Sequence, residues 1–456
     1  MDEIRALAPT GMLGSGYAEK SLHRAMEWEP HFIACDAGST DGGPDALATG
    51  KCHFPKSAVK RDIRLMLLAA RRAAIPLIIG SAGSGGGDLN LQWTLDVITE
   101  IAREDDLRFR LGIIRSEQDR EYLKGKLADG KIHALQPAPP INDEVINNSV
   151  HIVGMMGTEP IAKILEEGAE VVLAGRSSDT SLFAAIPMAR GFAEGPVWHA
   201  AKTLECGAAC AAIRRAPDCM FATIRKDHFI VEPPGEELWC TPQSVASHTL
   251  YENADPFHLY EASGMLDTTD ARYEAVSGRA VKVSGCGWVP AKTYTVKLEG
   301  VELAGYQSVV IGSIRDPIII RQVDSWLDNL KQRLAVRIQD AFGGLEMDRD
   351  YSVFFRVYGR NGTMGPLEPS THLAHELCIF IEVTAPTEDL ATSIADSCQH
   401  LAVHNPVPEW HGLITALAYP YSPAVLNRGP VHRFNLNHVV EPETPYEMFS
   451  TELVRV

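Results

Sequence analysis

The sequence lacks the features that mark membrane-spanning and secreted proteins. No apolar run approaches the ~18 residues that a membrane-spanning helix needs, and Met1–Leu7 shows no basic segment followed by an apolar core. The nine cysteines are scattered along the chain, which is typical of reduced thiols in a cytosol. We therefore expect a cytoplasmic protein that is not bound to a membrane.

Positive charge is also scarce. The 456 residues include 42 lysines and arginines against 59 aspartates and glutamates, which gives a formal net charge of −17. Because binding to nucleic acids or anionic membranes requires a basic surface, this balance argues against both as partners. A local cationic pocket for a small anionic substrate remains compatible with it. The length predicts two domains.

Signatures of covalent and nucleotide chemistry are missing as well. The sequence contains no Gly-x-Ser-x-Gly motif and no cysteine in a nucleophile signature. Its richest glycine loop, residues 80–87, lacks the Lys-Ser/Thr of a P-loop and the spacing of a dinucleotide fingerprint. Phosphoryl transfer is therefore only a third hypothesis. Zinc binding by His372 and His375 is disfavoured, because residues three apart on a strand face opposite sides.

The first half repeats one pattern: a short apolar run, a loop of small polar residues and then a helical stretch. The apolar runs that predict strands are residues 4–8, 32–35, 75–79, 109–114 and 169–175, and residues 151–157 predict a further strand and loop. Such runs are typical of strands buried on both faces of a parallel sheet. The sequence therefore predicts an α/β ligand-binding domain over residues 1–265, with a mostly parallel, doubly wound sheet and glycine-rich loops.

The second part has a different pattern. Residues 221–260 are rich in proline and acidic residues, and we expect them to be irregular. Beyond them, strands with alternating polarity are predicted at 280–284, 292–298, 308–313, 352–358 and 377–383. Two helices, 316–342 and 387–400, interleave with these strands. This pattern predicts a smaller α+β domain over residues 266–456.

Three loops of the first half carry groups suited to binding an anion and moving protons. The predicted catalytic carboxylates are Asp36 and Asp41. The predicted substrate-binding residues are Ser39, Thr40, Gly83, Ser84, Gly85, Gly86, Arg176, Ser177, Ser178 and Asp179. Neighbouring parallel strands would bring these loops to one pocket. The carboxylates could also hold Mg²⁺, although we assign no metal ligand.

Arg176 has a second interpretation, as the ion-pair partner of a helix cap at Ser178 or Asp179.

Two clusters in the second part are further candidates. Arg360 and Asn361 lie in a glycine-containing loop, and we predict that they bind substrate. His375 and Glu376 precede the strand at 377–383. Because histidine titrates near neutral pH, this pair is a candidate for acid–base catalysis. The alternative is a half-buried structural histidine.

Three motifs occur together and in order: Ile33–Asp41, Gly175–Asp179 and Tyr358–Gly362. In this the chain resembles the acyclic terpene utilisation (AtuA-like) proteins, from the first strand to about residue 420. The resemblance implies a role in bacterial terpene breakdown through acyl-CoA intermediates, a ferredoxin-like C-terminal region and a small partner protein. Because the chain lacks the C-terminal extension of longer members, we expect that partner to be a separate subunit.

The residues and the resemblance together predict a catabolic enzyme that acts on a small organic acid or an acyl-CoA. We expect a lyase, a hydratase or dehydratase that uses carboxylate and histidine acid–base chemistry. The alternative is a non-catalytic subunit that binds an anionic metabolite and works with a small partner protein. We also expect a homo-oligomer.

Overall fold

The computed structural model describes residues 2–213, 215–409 and 415–456. The chain divides into two compact units. The first unit consists of Met1–Glu302 together with Phe434–Val456, and the second unit of Leu303–Arg433. Within the described ranges, every helix is too short or too polar to cross a membrane.

Strands and helices alternate along most of the chain. The strands are β1 (Glu3–Ala8), β2 (Phe32–Gly38), β3 (Leu77–Ser84), β4 (Arg110–Ile114), β5 (Ile132–Ala134), β6 (Ser149–Met155), β7 (Val171–Ala174), β8 (Met220–Arg225), β9 (His228–Glu232), β10 (His258–Glu261), β11 (Gly264–Asp267), β12 (Arg272–Ala275), β13 (Val281–Ser284), β14 (Gly287–Pro290), β15 (Val296–Ile314), β16 (Ser352–Tyr358), β17 (Leu377–Ala385), β18 (Val425–Val440) and β19 (Thr451–Arg455). The helices are α1 (Glu19–Glu27), α2 (Asp45–Thr49), α3 (Lys56–Ala73), α4 (Asp88–Glu104), α5 (Arg120–Ala128), α6 (Asp143–Asn148), α7 (Thr158–Glu166), α8 (Asp179–Ala189), α9 (Glu194–Leu204), α10 (Pro242–Thr249), α11 (Pro317–Arg321), α12 (Val323–Ala341) and α13 (Glu388–Val403).

The first unit is built on a ten-stranded sheet in the order β12-β13-β9-β8-β1-β2-β3-β7-β4-β19. The five central strands, β1, β2, β3, β7 and β4, are parallel to one another. The flanking strands pair antiparallel. The predicted α/β fold is therefore confirmed, with the parallel arrangement confined to the centre of a mixed sheet.

Apolar cores lie on both faces of this sheet. Along β2, Phe32 and Ala34 belong to one buried cluster, whereas Ile33 and Cys35 belong to the other. This alternation follows from the two-residue period of a strand. It explains why the central strands are almost wholly apolar, as is typical of a sheet covered by helices on both sides.

The expectation that residues 221–260 are irregular is wrong. They include most of β8 and all of β9, which extend the large sheet, and also helix α10. These strands are short, and in β9 buried residues alternate with partly exposed ones, so that their apolar signal is weak. Helix α10 begins at a capping box in which Thr241 and Ser244 each accept a hydrogen bond from the other's backbone N–H, both at 3.0 Å.

The compact units divide the chain at a different place from the predicted boundary at residue 265. Strands β12 and β13 follow that residue and still extend the large sheet. At the other end of the chain, β19 pairs with β4. The first unit is therefore assembled from two separate segments of sequence.

Strand β15 is a single strand, although the sequence predicts two strands at 292–298 and 308–313. Its first part, Lys297–Glu302, pairs with β6, and its second part, Tyr306–Ile314, pairs with β17. The polar and glycine residues between the two apolar runs, such as Glu302 and Gly305, make the middle of the strand look like a loop.

The second unit contains the order β15–α12–β16–β17–α13–β18, with the short helix α11 before α12, and its strands lie in the order β16-β17-β15-β18. This is the arrangement of a ferredoxin-like fold. Its core joins the buried faces of both long helices to the sheet, as in the cluster of Trp326, Leu330, Ile379 and Ile394.

Candidate functional site

A cleft of about 690 Å³ opens in the first unit, where β2 and β7 end. Because β2, β3 and β7 are consecutive parallel neighbours, the loops that follow them meet at one edge of the sheet. Helix α9 and the segment that leads into β10 complete the walls. The charged residues that line the cleft are Asp36, Asp41, Arg176, Asp179, Lys202, Glu205, Glu252, Glu261 and Lys297.

Seven of the predicted site residues share this cleft. They are Asp36, Ser39, Thr40, Asp41, Arg176, Ser178 and Asp179. Ser84 and Gly85 lie next to them, in a small niche that is also lined by Ser39, Thr40 and Arg176. The first loop is tied to the glycine loop, since the Ser39 N–H donates to the carbonyl of Ser84 at 3.3 Å.

The remaining predicted residues of the first unit are buried in packing roles. Gly83 and Gly86 adopt positive φ angles of +61° and +70°. The Ser177 hydroxyl donates to the carbonyl of Gly175 at 2.8 Å. The Gly86 carbonyl also accepts a hydrogen bond from the Arg176 N–H at 3.2 Å. Substrate binding by these three residues stays a prediction.

The helix N-terminus beyond the glycine loop is already occupied by a carboxylate. The Asp88 N–H, at the start of α4, donates to Glu117 Oε2 at 2.9 Å. The other oxygen, Glu117 Oε1, lies 2.5 Å from His151 Nδ1. Burial opposes ionisation of Glu117, but these two hydrogen bonds prevail and lower its pKa. A protein carboxylate therefore fills the place that the sequence suggests for a bound anion.

Asp36 is the most unusual acid of the cleft. Its side chain is nearly inaccessible, at 2% relative exposure. Oδ2 accepts the Gly38 N–H at 2.9 Å, whereas Oδ1 has no hydrogen-bond partner among the described residues. Burial, with the nearby Asp179 carboxylate, raises its pKa well above the ordinary value, and Arg176, the Gly38 N–H and the nearby Ser81 hydroxyl offset this only in part. Oδ1 is thus a buried polar atom without a hydrogen-bond partner, in a residue that lines the cleft.

Arg176 is held by Glu299, a residue of β15 that sequence reasoning missed. Nε donates to Glu299 Oε2 at 2.8 Å and Nη2 to Oε1 at 3.2 Å, a bidentate pair. Nη1 donates to the Ser81 hydroxyl at 3.2 Å and lies 4.0 Å from Asp179 Oδ1. The second interpretation of Arg176, an ion pair with a cap residue, corresponds only to its 4.0 Å contact with Asp179, which is longer than its contacts with Glu299.

Two other carboxyls of the cleft, Glu205 and Glu261, have pKa values that burial raises to near neutral pH. Lys202 Nζ donates to Glu205 Oε1, and the two side chains are only 4% and 6% exposed. Burial raises the pKa of Glu205 to about 8, although Lys202 opposes this. Glu261 accepts hydrogen bonds from the hydroxyls of Ser178, at 2.7 Å, and Thr180. Burial raises its pKa to about 7 despite these bonds.

A model of the acyclic terpene utilisation family protein AtuA matches residues 56–212 and 221–426. The chain belongs to the AtuA family. The predicted resemblance is therefore confirmed. The match includes Arg176, Glu205 and Glu261, and it begins beyond the loop that holds Asp36. No curated protein and no solved structure matches the chain.

One group in this AtuA-family cleft has the composition of a cation site. Glu205, Cys206 and Glu252 each offer a ligand atom, and these atoms lie within 4.8 Å of one another. However, Glu205 Oε1 already accepts a hydrogen bond from Lys202 Nζ. Asp36 and Asp41, which we considered as Mg²⁺ ligands, do not join any such three-residue group among the described residues.

The other predicted residues of the AtuA-family chain belong to the second unit. Arg360, Asn361, His375 and Glu376 lie in the loop between β16 and β17, and all four are exposed. The Arg360 guanidinium pairs with Asp324. Because His375 is exposed, the alternative of a half-buried histidine is wrong. None of the four lines the cleft of the first unit, and their role in catalysis or binding stays a prediction.

Proposed function

We propose that this AtuA-family protein is a catabolic enzyme, a hydro-lyase that adds water to or removes it from a small organic acid or its acyl-CoA thioester. The observation that carries the proposal is the set of carboxyls with raised pKa values in one cleft: Asp36, Glu205 at about 8 and Glu261 at about 7. Groups that titrate near neutral pH both donate and accept protons under physiological conditions.

Removal of water needs one such group as base and another as acid. The ionised carboxylate of Glu261 takes a proton from the carbon next to the substrate's carboxylate or thioester. The released electron pair forms a carbon–carbon double bond while the neighbouring carbon–oxygen bond breaks. Protonated Asp36, whose Oδ1 lacks a partner, donates its proton to the departing hydroxyl, which leaves as water. Hydration is the reverse sequence.

We assign the second proton-transfer role to Glu261 and not to Asp41 or His375, the earlier candidates. Asp41 lines the cleft but is exposed, and His375 belongs to the second unit. Glu261 lies in the same electrostatic environment as Asp36, because the Asp179 carboxylate raises the pKa of both groups.

The raised pKa values also reduce the negative charge that an anionic substrate would meet in the cleft. Six carboxyls and three cations line the cleft, which would repel an anion if every carboxyl were ionised. Partial protonation of Glu205 and Glu261 near neutral pH removes some of that negative charge, and the raised pKa of Asp36 acts in the same direction. Lys297, whose side chain is 41% exposed, is the cation best placed to meet the substrate's anionic end.

A second candidate function is a metabolite-binding subunit that depends on a partner protein. It is favoured by the pairing of the two most buried cations, Arg176 with Glu299 and Lys202 with Glu205. These pairs hold the cleft in a fixed arrangement and need no reaction to explain them.

The first experiment is a thermal-shift screen of the purified chain against hydroxy acids, dicarboxylates, acyl-CoA thioesters and nucleotides, each with and without Mg²⁺. A ligand at ~100 times its Kd stabilises a protein by ~2.7 kcal/mol, a rise of a few degrees in Tm for a chain of this size. Acids or thioesters that raise Tm are then incubated with the protein in D₂O and followed by proton NMR.

We expect exchange of the proton next to the carboxylate or thioester and interconversion of hydroxyl and alkene forms. Asp36→Asn should retain the Tm shift and lower kcat by about 100-fold or more, whereas the matched variant Asp41→Asn should remain active. A Tm shift without any chemical change, or turnover only after a small partner protein is added, would favour the binding subunit. A response to nucleotides with Mg²⁺ alone would contradict both functions.

A further inference from the structure

Ser178 lies at a position where a serine side chain normally caps a helix. It directly precedes helix α8 and follows the end of β7 by four residues. A serine at this position usually accepts a hydrogen bond from a backbone N–H of the first helical turn. In the described chain the Ser178 side chain makes no such bond. Its hydroxyl donates instead to Glu261 Oε2 at 2.7 Å. The hydroxyl therefore serves the carboxyl of Glu261 and not the helix.

A second hydroxyl orients the same carboxyl. The Thr180 hydroxyl donates to Glu261 Oε1 and lies 2.7 Å from the Ser178 hydroxyl. All three side chains line the cleft, and Ser178 is partly exposed there. A hydroxyl, a base within hydrogen-bond reach and a third group that orients the base are the parts of an activated nucleophile.

The electrostatics around Ser178 suit the transfer of its proton. Burial raises the pKa of Glu261 to about 7, so that part of this carboxyl is ionised at neutral pH. A base with such a pKa accepts a proton and returns it in a later step. The N-terminus of α8, a helix of eleven residues, carries a partial positive charge. This charge favours a negative oxygen beside Ser178.

We propose that Ser178 is a nucleophile that accepts the acyl group of a carboxylic ester or thioester, with Glu261 as its base. The Ser178 oxygen bonds to the carbonyl carbon while its proton passes to Glu261. The bond from that carbon to the alcohol or thiol then breaks, and Glu261 gives the proton to the departing oxygen or sulfur. Water next attacks the acyl carbon and gives one proton to Glu261. The acid leaves as Ser178 regains that proton, and the net reaction is hydrolysis.

This activity goes beyond the proposed hydro-lyase and shares with it only the cleft and Glu261. Hydrolysis of an ester or thioester neither forms nor consumes a carbon–carbon double bond, so each activity can be absent without the other. The sequence could not reveal the pair, because it contains no Gly-x-Ser-x-Gly motif and Glu261 stands 83 residues beyond Ser178.

The first test is covalent labelling of the full-length chain with a fluorophosphonate, a reagent that reacts with activated serine hydroxyls. We expect mass spectrometry of the peptides to find the label on Ser178. This measurement uses the wild-type chain and does not depend on the folding of a variant. Hydrolysis is measured with p-nitrophenyl acetate and with acetyl-CoA, and we expect turnover of at least one of them. The arm that reacts distinguishes an ester from a thioester.

Ser178→Ala should abolish the label and lower the rate of hydrolysis by about 100-fold or more, and Glu261→Gln should lower the rate by a similar factor. Circular dichroism checks that both variants are folded. The matched control is Ser15→Ala, at a hydroxyl of the same cleft that donates to the Met12 carbonyl at 2.6 Å, and it should leave the rate unchanged. A label that is absent or lies on another residue overturns the proposal. So does a chain that hydrolyses neither probe, or hydrolysis that a folded Ser178→Ala retains.

Discussion

At the scale of single residues, the ion pair of Arg176 and Glu299 influences the pKa values of the other acids in the cleft. Both side chains are more than nine-tenths buried, and each satisfies the other through two hydrogen bonds. The positive charge of Arg176 also lowers the pKa values of Asp36 and Asp179, which burial raises. Arg176 is therefore both a structural partner of Glu299 and a source of the potential that acts on the candidate acid.

The variant Arg176→Ala should be severely destabilised. It leaves the carboxylate of Glu299 buried without its main partner, which costs about 3–5 kcal/mol in the free energy of unfolding. Urea denaturation measures this loss. The matched control is Arg225→Ala, whose exposed pair with Glu3 should contribute about 0–1 kcal/mol. Equal losses for the two variants would show that Arg176 is not tied to Glu299 in solution.

These residues also show how far sequence can predict a site. Asp36 and Arg176 each follow an apolar strand, and that position places them at the edge of the sheet without further information. The charged residues that come from other parts of the chain could not be found in the same way. Glu299 stands 123 residues beyond Arg176, in a stretch that looks like a loop, and Lys202 with Glu205 resembles an ordinary helical ion pair three residues apart.

At the scale of elements, the order of the strands determines which loops share the cleft. The central strands could be predicted, because burial on both faces makes them continuous apolar runs. Their order could not, because β7 inserts between β3 and β4 and no local pattern encodes that choice. The antiparallel flank was missed, since its strands are short and in β9 and β13 buried residues alternate with partly exposed ones.

The loop between β3 and α4 provides a test of this arrangement. A β-carbon at Gly86 would lie 2.4 Å from the backbone nitrogen of Arg176, and the φ angle of +70° disfavours any other residue. Gly86→Ala should therefore push the loops after β3 and β7 apart, with a loss of about 1–3 kcal/mol in unfolding free energy.

Gly125→Ala is the matched control for this substitution. Gly125 lies within α5, and no atom would come within 4 Å of an added β-carbon. Alanine is the better helix former, so this variant should gain up to ~1 kcal/mol. Urea denaturation of both variants gives the comparison, and a stable Gly86→Ala would mean that the two loops are not in close contact.

At the scale of the whole molecule, the buried carboxyls link folding to pH. Glu205 titrates at about 8 and Glu261 at about 7 in the folded chain, whereas the ordinary value for glutamate is 4.5. The folded state therefore binds these protons more tightly than the unfolded state. Their stabilising contribution is complete below about pH 4.5, and it is lost as the pH rises through the folded pKa values.

Other groups act in the opposite direction at lower pH. Burial lowers the pKa of His199 to about 3, and Glu117 and Glu299 have lowered pKa values as well. Stability from these groups increases with pH and is fully gained by about pH 7.5, where an unfolded histidine has lost its proton. Above that pH the fall that is due to Glu205 and to the other acids with raised pKa values, such as Asp36 and Asp179, should no longer be offset by these groups.

We therefore expect Tm to decrease between about pH 7 and about pH 9, and the decrease to be smaller in Glu205→Gln. Glutamine keeps the size of the side chain and an oxygen that accepts from Lys202, but it removes the titration. Differential scanning calorimetry measures both profiles. Glu236→Gln, at an exposed glutamate, should reproduce the wild-type profile. If Glu205→Gln keeps the full wild-type slope, Glu205 is ionised throughout this range, Lys202 outweighs its burial, and Glu205 is not a proton carrier near neutral pH.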